Sequence, residues 1–133
     1  MAVDGVTVAS ILGQDAAAVF KTLVTKGASG AYYVFDIPVA ETLDLKKAAK
    51  AVGEKSIAML PSKDLLPLTG YVHGGCSPVG MKKQFHTVFH ETVILFDTIC
   101  VSAGKIGAQV ELKPDDLIGL LEADVADVVV EER

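Results

Sequence analysis

Two cysteines, Cys76 and Cys100, are too few and too poorly spaced for a disulfide framework or a thiolate zinc site. They read as reduced thiols of a cytoplasmic protein. No apolar run approaches the roughly 20 residues of a membrane-spanning helix. The N-terminus has no basic region followed by an apolar stretch, so it does not read as a secretory signal. Basic residues are short as well, 12 against 17 acidic ones, for a net charge of −5. The surface as a whole therefore does not attract nucleic acid, and any such contact falls to a local basic patch. A Walker-type phosphate loop and a dinucleotide fingerprint are both missing, so nucleotide hydrolysis and hydride transfer lack support. There is no internal repeat, linker or low-complexity segment.

What is present is ordinary globular material. Hydrophobic residues make up 50% and charged residues 22% of 133, which excludes a disordered chain and predicts one domain, 1–133, with a real core. A short apolar pattern, Val6, Val8, Ile11 and Leu12, is closed by Gly13 as a helix cap. Asp15 is placed to cap a brief turn through Ala16-Ala17-Ala18. Residues 19–25 and 31–37 read as two strands joined by a Ser-Gly turn, a hairpin. Alternation puts Phe20, Thr22 and Val24 on one face, and Lys21, Leu23 and Thr25 on the other. Lys21 thus shares a face with Leu23, as a pocket lysine or as a snorkelling surface one.

The period then changes. Leu45, Ala48, Ala49 and Val52 predict an amphipathic helix capped by Asp44 or Thr42 and stopped by Gly53, with Lys46, Lys47 and Lys50 on its outer face. Residues 56–60 read as a strand ended by Pro61, and 63–68 as a short helical turn. Apolar stretches at 84–89 and 92–95 flank His90-Glu91. Residues 98–102 and 108–112 form a second predicted hairpin across Gly104 and Gly107. Pro114 opens a C-terminal helix with Leu117, Ile118, Leu120 and Leu121 inward, and 125–130 supplies a last strand. Strands in runs without regular βαβ alternation predict an α+β domain on a mixed, largely antiparallel sheet.

Between these elements lies Leu68-Thr69-Gly70-Tyr71-Val72-His73-Gly74-Gly75-Cys76-Ser77-Pro78-Val79-Gly80-Met81-Lys82-Lys83. Gly74-Gly75 permits positive φ and leaves no Cβ in the way of an approaching group, while Pro78 stiffens the second half of the loop. Main-chain N–H groups in such a turn can converge on an oxyanion. A plain tight turn between strands remains the alternative reading. Nothing else announces a nucleophile and base. His86 and His90 have metal-ligand spacing only on a helix, and the strand-like residues between them argue against one. Cys76 and His73 lack a third group to orient the histidine, and Ser77 lacks a nucleophile elbow.

Taken together, Phe20-Lys21-Thr22-Leu23-Val24, Leu43-Asp44-Leu45-Lys46-Lys47-Ala48-Ala49, Leu68-Thr69-Gly70-Tyr71, Gly74-Gly75-Cys76-Ser77-Pro78-Val79-Gly80 and Val101-Ser102-Ala103-Gly104-Lys105 resemble the YbaK/prolyl-tRNA-synthetase-associated editing domains. Within that family the resemblance is to the stand-alone YbaK-type Cys-tRNA(Pro) deacylases. It implies a mixed sheet forming a partly closed barrel with flanking helices. It also implies a trans-editing deacylase that hydrolyses the ester of mischarged tRNA, Cys-tRNA(Pro) first, by substrate-assisted chemistry. Lys21, Gly74 and Gly75 are the expected catalytic positions. Ser77, Pro78, Lys82, Ser102, Gly104, Lys105 and Gln109 are the expected substrate-binding ones. No cofactor, metal or membrane is implied, and prolyl-tRNA synthetase is a candidate partner. Family members usually carry a further N-terminal helix and strand, with a tyrosine near the pocket, which this chain is expected to lack. Their best-known bacterial forms have aspartate at the position of Gln109, arginine at Ile106 and often isoleucine at Cys76. The alternative from another class is a non-catalytic relative that binds tRNA or a synthetase.

Overall fold

In a computed structural model, the structure describes residues 15–131. The predicted pattern closed by Gly13 lies outside them. Asp15 caps a 3-10 turn over Ala16–Ala18, accepting from Ala17 N at 2.9 Å. Strand β1 (Phe20–Gly27) and strand β2 (Tyr32–Pro38) form the expected antiparallel hairpin, with Thr22 opposite Asp36 and Lys21 opposite Ile37. Helix α1 (Leu45–Val52) starts where Asp44 accepts from the N–H groups of Lys46 and Lys47, and stops at Gly53 in the left-handed region. Strand β3 (Ile57–Met59) pairs antiparallel with β1. Helix α2 (Ser62–Thr69) leads into the glycine loop.

Strand β4 (His86–His90) runs parallel to β2, and a 3-10 turn over Glu91–Leu95 follows it. Strands β5 (Ile99–Ser102) and β6 (Gln109–Leu112) make the second hairpin. Helix α3 (Pro114–Leu121) precedes strand β7 (Asp124–Ala126), which is parallel to β4. The main sheet has the order β3-β1-β2-β4-β7, two antiparallel junctions and two parallel ones. The fold is therefore α+β on a mixed sheet, with three α-helices among the described residues. A single parallel bridge, Val19 to Cys100, ties the β5–β6 hairpin to the entry of β1.

Each face of this sheet has its own core. Phe35, Ile37 and Val88 pack with Ala48 and Ala49 of α1, while Val24 and Val34 pack with Leu65 and Cys76 beneath α2 and the glycine loop. Phe20, Phe89, Ile99 and Val101 pack with Leu117 and Leu121. Three expectations are corrected. Leu120 and Leu45 do not face inward: they are 68% and 40% exposed, because these eight-residue helices bury only the positions that meet the sheet. The last strand is shorter than 125–130: after Ala126 the chain leaves β4, and Asp44 N and Val130 N bond Val128 O and Thr42 O instead. Lys47 is not on a free solvent face. Its Nζ holds Asp127 Oδ2 at 2.9 Å and Val129 O at 3.0 Å, fastening that segment to α1.

Candidate active site

The glycine loop is organised from its first residue. Thr69 Oγ1 donates to Leu65 O at 2.7 Å and accepts from Tyr71 N at 3.1 Å, so one hydroxyl closes α2 and starts the loop. Tyr71 Oη then donates to Val79 O at 2.6 Å, drawing the two ends of the loop together. Gly74 has φ +84°, a conformation that a side chain strains, and Gly75 N–H donates to Val72 O at 3.0 Å. Gly75 is buried, and a Cβ there would sit 3.0 Å from both Lys105 Cα and Ile106 N. The loop therefore lies directly on the turn between β5 and β6.

That docking encloses a cavity of about 310 Å³. Its walls are Phe20 to Leu23 of β1, His73, Gly74 and Cys76 of the loop, and Ser102, Gly107, Ala108 and Gln109 of the second hairpin, with Val39 and Leu65. Of the ten residues expected at the site, Lys21, Gly74, Ser102 and Gln109 line it. Gln109 Oε1 is a buried acceptor without a hydrogen-bond partner, and Ser102 Oγ accepts from Gly104 N at 3.1 Å. The others stand around the cavity. Gly75, Ser77 and Pro78 are buried within the loop, where Ser77 Oγ accepts from Val79 N at 3.2 Å. Gly104 covers the Tyr71 ring, and Lys105 forms the turn under Gly75. Lys82 is exposed and its Nζ donates to Pro67 O at 3.4 Å, on the α2 side of the loop.

The electrostatics exclude an obvious protein nucleophile. Burial, then the charge of Asp36, pushes the Cys76 thiol up to about 12, so it stays protonated at any physiological pH. Burial raises Cys100 too. His90 is buried, its Nδ1 accepts from Val128 N at 3.3 Å, and desolvation lowers its pKa. His86 instead reaches Asp124 Oδ2 at 2.6 Å across the β4–β7 pair, so the two histidines do not converge. Among the described residues no group of three His, Cys, Asp or Glu is placed to hold a metal ion. A second, larger hollow of about 640 Å³ beside Glu41, His90 and Asp127 contains none of the ten residues expected at the site.

Sequence reasoning missed Thr22, His73 and Cys76 as wall residues, and Asp36 behind them. The signal for Asp36 was available: a lone acid inside Tyr-Tyr-Val-Phe-Asp-Ile-Pro. It is fully buried, Thr22 Oγ1 donates to its Oδ1 at 2.5 Å, and burial raises its pKa to about 7 against that hydrogen bond.

A glycine loop docked on a hairpin turn, facing a strand lysine across a small cavity, defines the class: residues 3–120 match the model of the aminoacyl-tRNA editing domain, and the chain belongs to that family of hydrolases. It is 47% identical over 126 residues to the protein named "Putative Cys-tRNA(Pro)/Cys-tRNA(Cys) deacylase EbsC" of Enterococcus faecalis (strain ATCC 700802 / V583), covering 95% of this chain and 77% of that one. Among solved structures it is similar to "a putative trans-editing enzyme for prolyl tRNA synthetase", with TM-score 0.86, 26% identity, and 96% and 80% of the two chains covered. A scaffold protein used for epitope grafting by computational design superposes with TM-score 0.90 at 27% identity, covering 99% and 84%. Among the described residues no helix is long and apolar enough to cross a membrane.

Proposed function

We propose that this chain is a cytoplasmic trans-editing deacylase that hydrolyses the ester of mischarged tRNA, with Cys-tRNA(Pro) as its main substrate. The observation that carries this is a cavity of about 310 Å³ that joins Lys21, the Gly74 main chain, Ser102 and Gln109 while the Cys76 thiol in its wall is held protonated. An aminoacyl ester needs little more. It is already activated, so positioning and donors for the developing oxyanion supply much of the barrier reduction. Gly75 N–H is engaged by Val72 O, whereas Gly74 N–H makes no main-chain hydrogen bond among the described residues and is the donor for the oxyanion. Lys21 holds a phosphate or ribose of the terminal adenosine. Gln109 Oε1 and Ser102 orient the aminoacyl group, with Gly104 keeping the hairpin turn close. Lys105 and Lys82 flank the loop as phosphate contacts, and Ser77 and Pro78 keep it rigid.

The attacking group comes from the substrate. A cysteinyl thiolate closes on its own ester carbonyl, the bond to the ribose oxygen breaks, that oxygen takes a proton, and water opens the cyclic thioester. The acidic surface keeps tRNA binding weak, through few phosphates, which suits an editor working beside prolyl-tRNA synthetase. The bridge between Val19 and Cys100 supports the reading of the two sheets as one partly closed barrel around this cavity. A panel of mischarged tRNAs tests the proposal. Accelerated loss of cysteine from Cys-tRNA(Pro) is expected. Binding of the panel without acceleration of any member would make the chain a non-catalytic binding module.

A further inference from the structure

Asp36 is the buried titratable group that the reaction above leaves unused. It sits in β2 opposite Thr22 of β1, and residues paired across an antiparallel ladder project from the same face. The contact between them is short, 2.5 Å from Thr22 Oγ1 to Asp36 Oδ1, and Oδ2 is buried without a hydrogen-bond partner. Thr22 and Cys76 both line the cavity, so Asp36 lies one layer behind its wall. A carboxyl with an unmatched oxygen is a poor choice for packing, since an apolar side chain would fill the place without desolvation cost.

We propose that Asp36 is a positioning residue of the editing cavity: it sets the direction of the Thr22 hydroxyl, and so whether the wall offers the aminoacyl group an acceptor or a donor. The inference rests on the deacylase reading above. As a carboxylate, Asp36 accepts a hydrogen bond from the Thr22 hydroxyl, and the threonine oxygen presents only lone pairs to the cavity. As an acid it has one good place for its proton, on Oδ1, because Thr22 Oγ1 accepts there while Oδ2 has no partner. The Thr22 proton then turns into the cavity. Burial holds the carboxyl at about 7, so both states are populated near neutrality. The acceptor state suits a cysteinyl substrate, whose S–H must be oriented and released.

Other groups facing this position are accounted for. Cys76, from the loop, stays a neutral thiol. Phe89, paired with Asp36 from β4, is apolar, and Lys21 and His73 line the same cavity. The test is the pH profile of kcat/KM for Cys-tRNA(Pro) across neutrality in the full chain and in Asp36→Asn, Asp36→Val, Thr22→Val, Thr22→Val/Asp36→Val and His73→Gln. Asp36→Asn, which keeps the shape and donates permanently, is expected to hold kcat/KM about three- to tenfold below the parent above neutrality, the worth of one oriented hydrogen bond, and to converge with it below. The inflection should persist in His73→Gln, and Asp36→Val should add nothing in the Thr22→Val background.

Parallel profiles for the parent and both Asp36 variants, an undiminished Asp36 effect without Thr22, or loss of the inflection only in His73→Gln would each overturn the proposal. A parent chain that deacylates no substrate would remove the deacylase reading. The Asp36–Thr22 coupling is then read by titrating the Asp36 carboxyl carbon by NMR: a midpoint near neutrality that moves in Thr22→Val supports it, and an ordinary or unmoved midpoint refutes it.

Discussion

Gly75 rests on Lys105 so closely that a Cβ on the glycine would stand 3.0 Å from the Lys105 Cα. The contact is backbone on backbone, so neither partner has a flexible end that can give way. It fixes the glycine loop on the β5–β6 turn, and with it the distance across the cavity. Gly75→Ala is therefore expected to destabilise the chain by about 1–3 kcal/mol, as overpacking does, and to lower turnover by lifting the loop. Gly74→Ala should cost about 1–2 kcal/mol for its left-handed backbone, while the new methyl meets only ordinary contact, Ile106 Cγ1 at 3.6 Å. Thermal melts with single-turnover kinetics check both. Unchanged kinetics in the two variants would reduce the loop to a turn.

Lys21 stands half-buried in the cavity wall on β1, beside Thr22 and Leu23. If it holds the terminal adenosine, Lys21→Ala should lower kcat/KM on the order of 100-fold while the melting temperature stays within a few degrees. Lys21→Arg should recover part of the loss, because charge remains while reach changes. Near-full activity of the alanine variant would return Lys21 to the surface role that its sequence position alone also allowed.

Much of the fold was legible because its signals are local. The β1–β2 hairpin, the Asp44 cap with the Gly53 stop, and the β5–β6 hairpin each follow from alternation, helical period or turn chemistry within a few residues. The parallel pairings of β2 with β4 and β4 with β7 were not legible, since they join segments with no turn between them. Lys47 looked like one of three solvent lysines, because its partner Asp127 is 80 residues away in sequence. At the site, motif order pointed to Lys21, Gly74, Ser102 and Gln109. His73 and Thr22 entered the wall only through the way the loop docks. Asp36 was masked by its neighbours: in a strand apolar on both faces, alternation does not say which side an acid takes.

Stability should fall as pH rises from about 4 to about 7 and level off above that. The folded pKa of Asp36, about 7, lies above the ordinary aspartate value of 3.8, so the folded state binds the extra proton between them. That contribution is fully present below the unfolded value and is lost as pH passes the folded one. The span corresponds to an upper limit on the order of 4 kcal/mol. Asp36→Val should remove the slope and raise the melting temperature above that of the parent at mildly alkaline pH. A parent chain that grows more stable over the same interval, by as much as the variant does, would contradict this assignment.

Lys47 offers a test of the C-terminal clamp that is separate from catalysis. Its ammonium is held by Asp127 and by the Val129 carbonyl, and the carboxylate is in turn kept below its usual range chiefly by the Lys47 hydrogen bond. The ion pair itself is partly exposed and worth little, so Lys47→Met should leave the melting temperature nearly unchanged. The stronger expectation is local: amide exchange at Val129 and Val130 should quicken while that of β1 and β2 is unchanged. Uniform protection in the variant would mean that Leu43 and the backbone bonds alone secure the segment.

The last prediction concerns the origin of the nucleophile. Cys76 is the natural suspect, a thiol in the cavity wall three residues from a histidine. Yet burial and the neighbouring Asp36 carboxyl push it up to about 12, the reverse of what an attacking cysteine requires. Its sulfur has the Ser77 carbonyl, at 4.0 Å, and the Thr69 hydroxyl as hydrogen-bond partners, and neither is a base that could deprotonate it. Cys76→Ala should therefore keep most deacylase activity, losing some stability through the small cavity left beneath the loop. If the substrate thiol does the attacking, Cys-tRNA(Pro) should be cleaved much faster than Ser-tRNA on the same acceptor, because a hydroxyl is far less ionised near neutral pH. Mass spectrometry of quenched single turnovers should then show cysteine passing through its cyclic thioester, with no mass added to the protein. An inactive Cys76→Ala variant that still folds, or an aminoacyl group found on Cys76, would defeat this mechanism and move the nucleophile back into the chain.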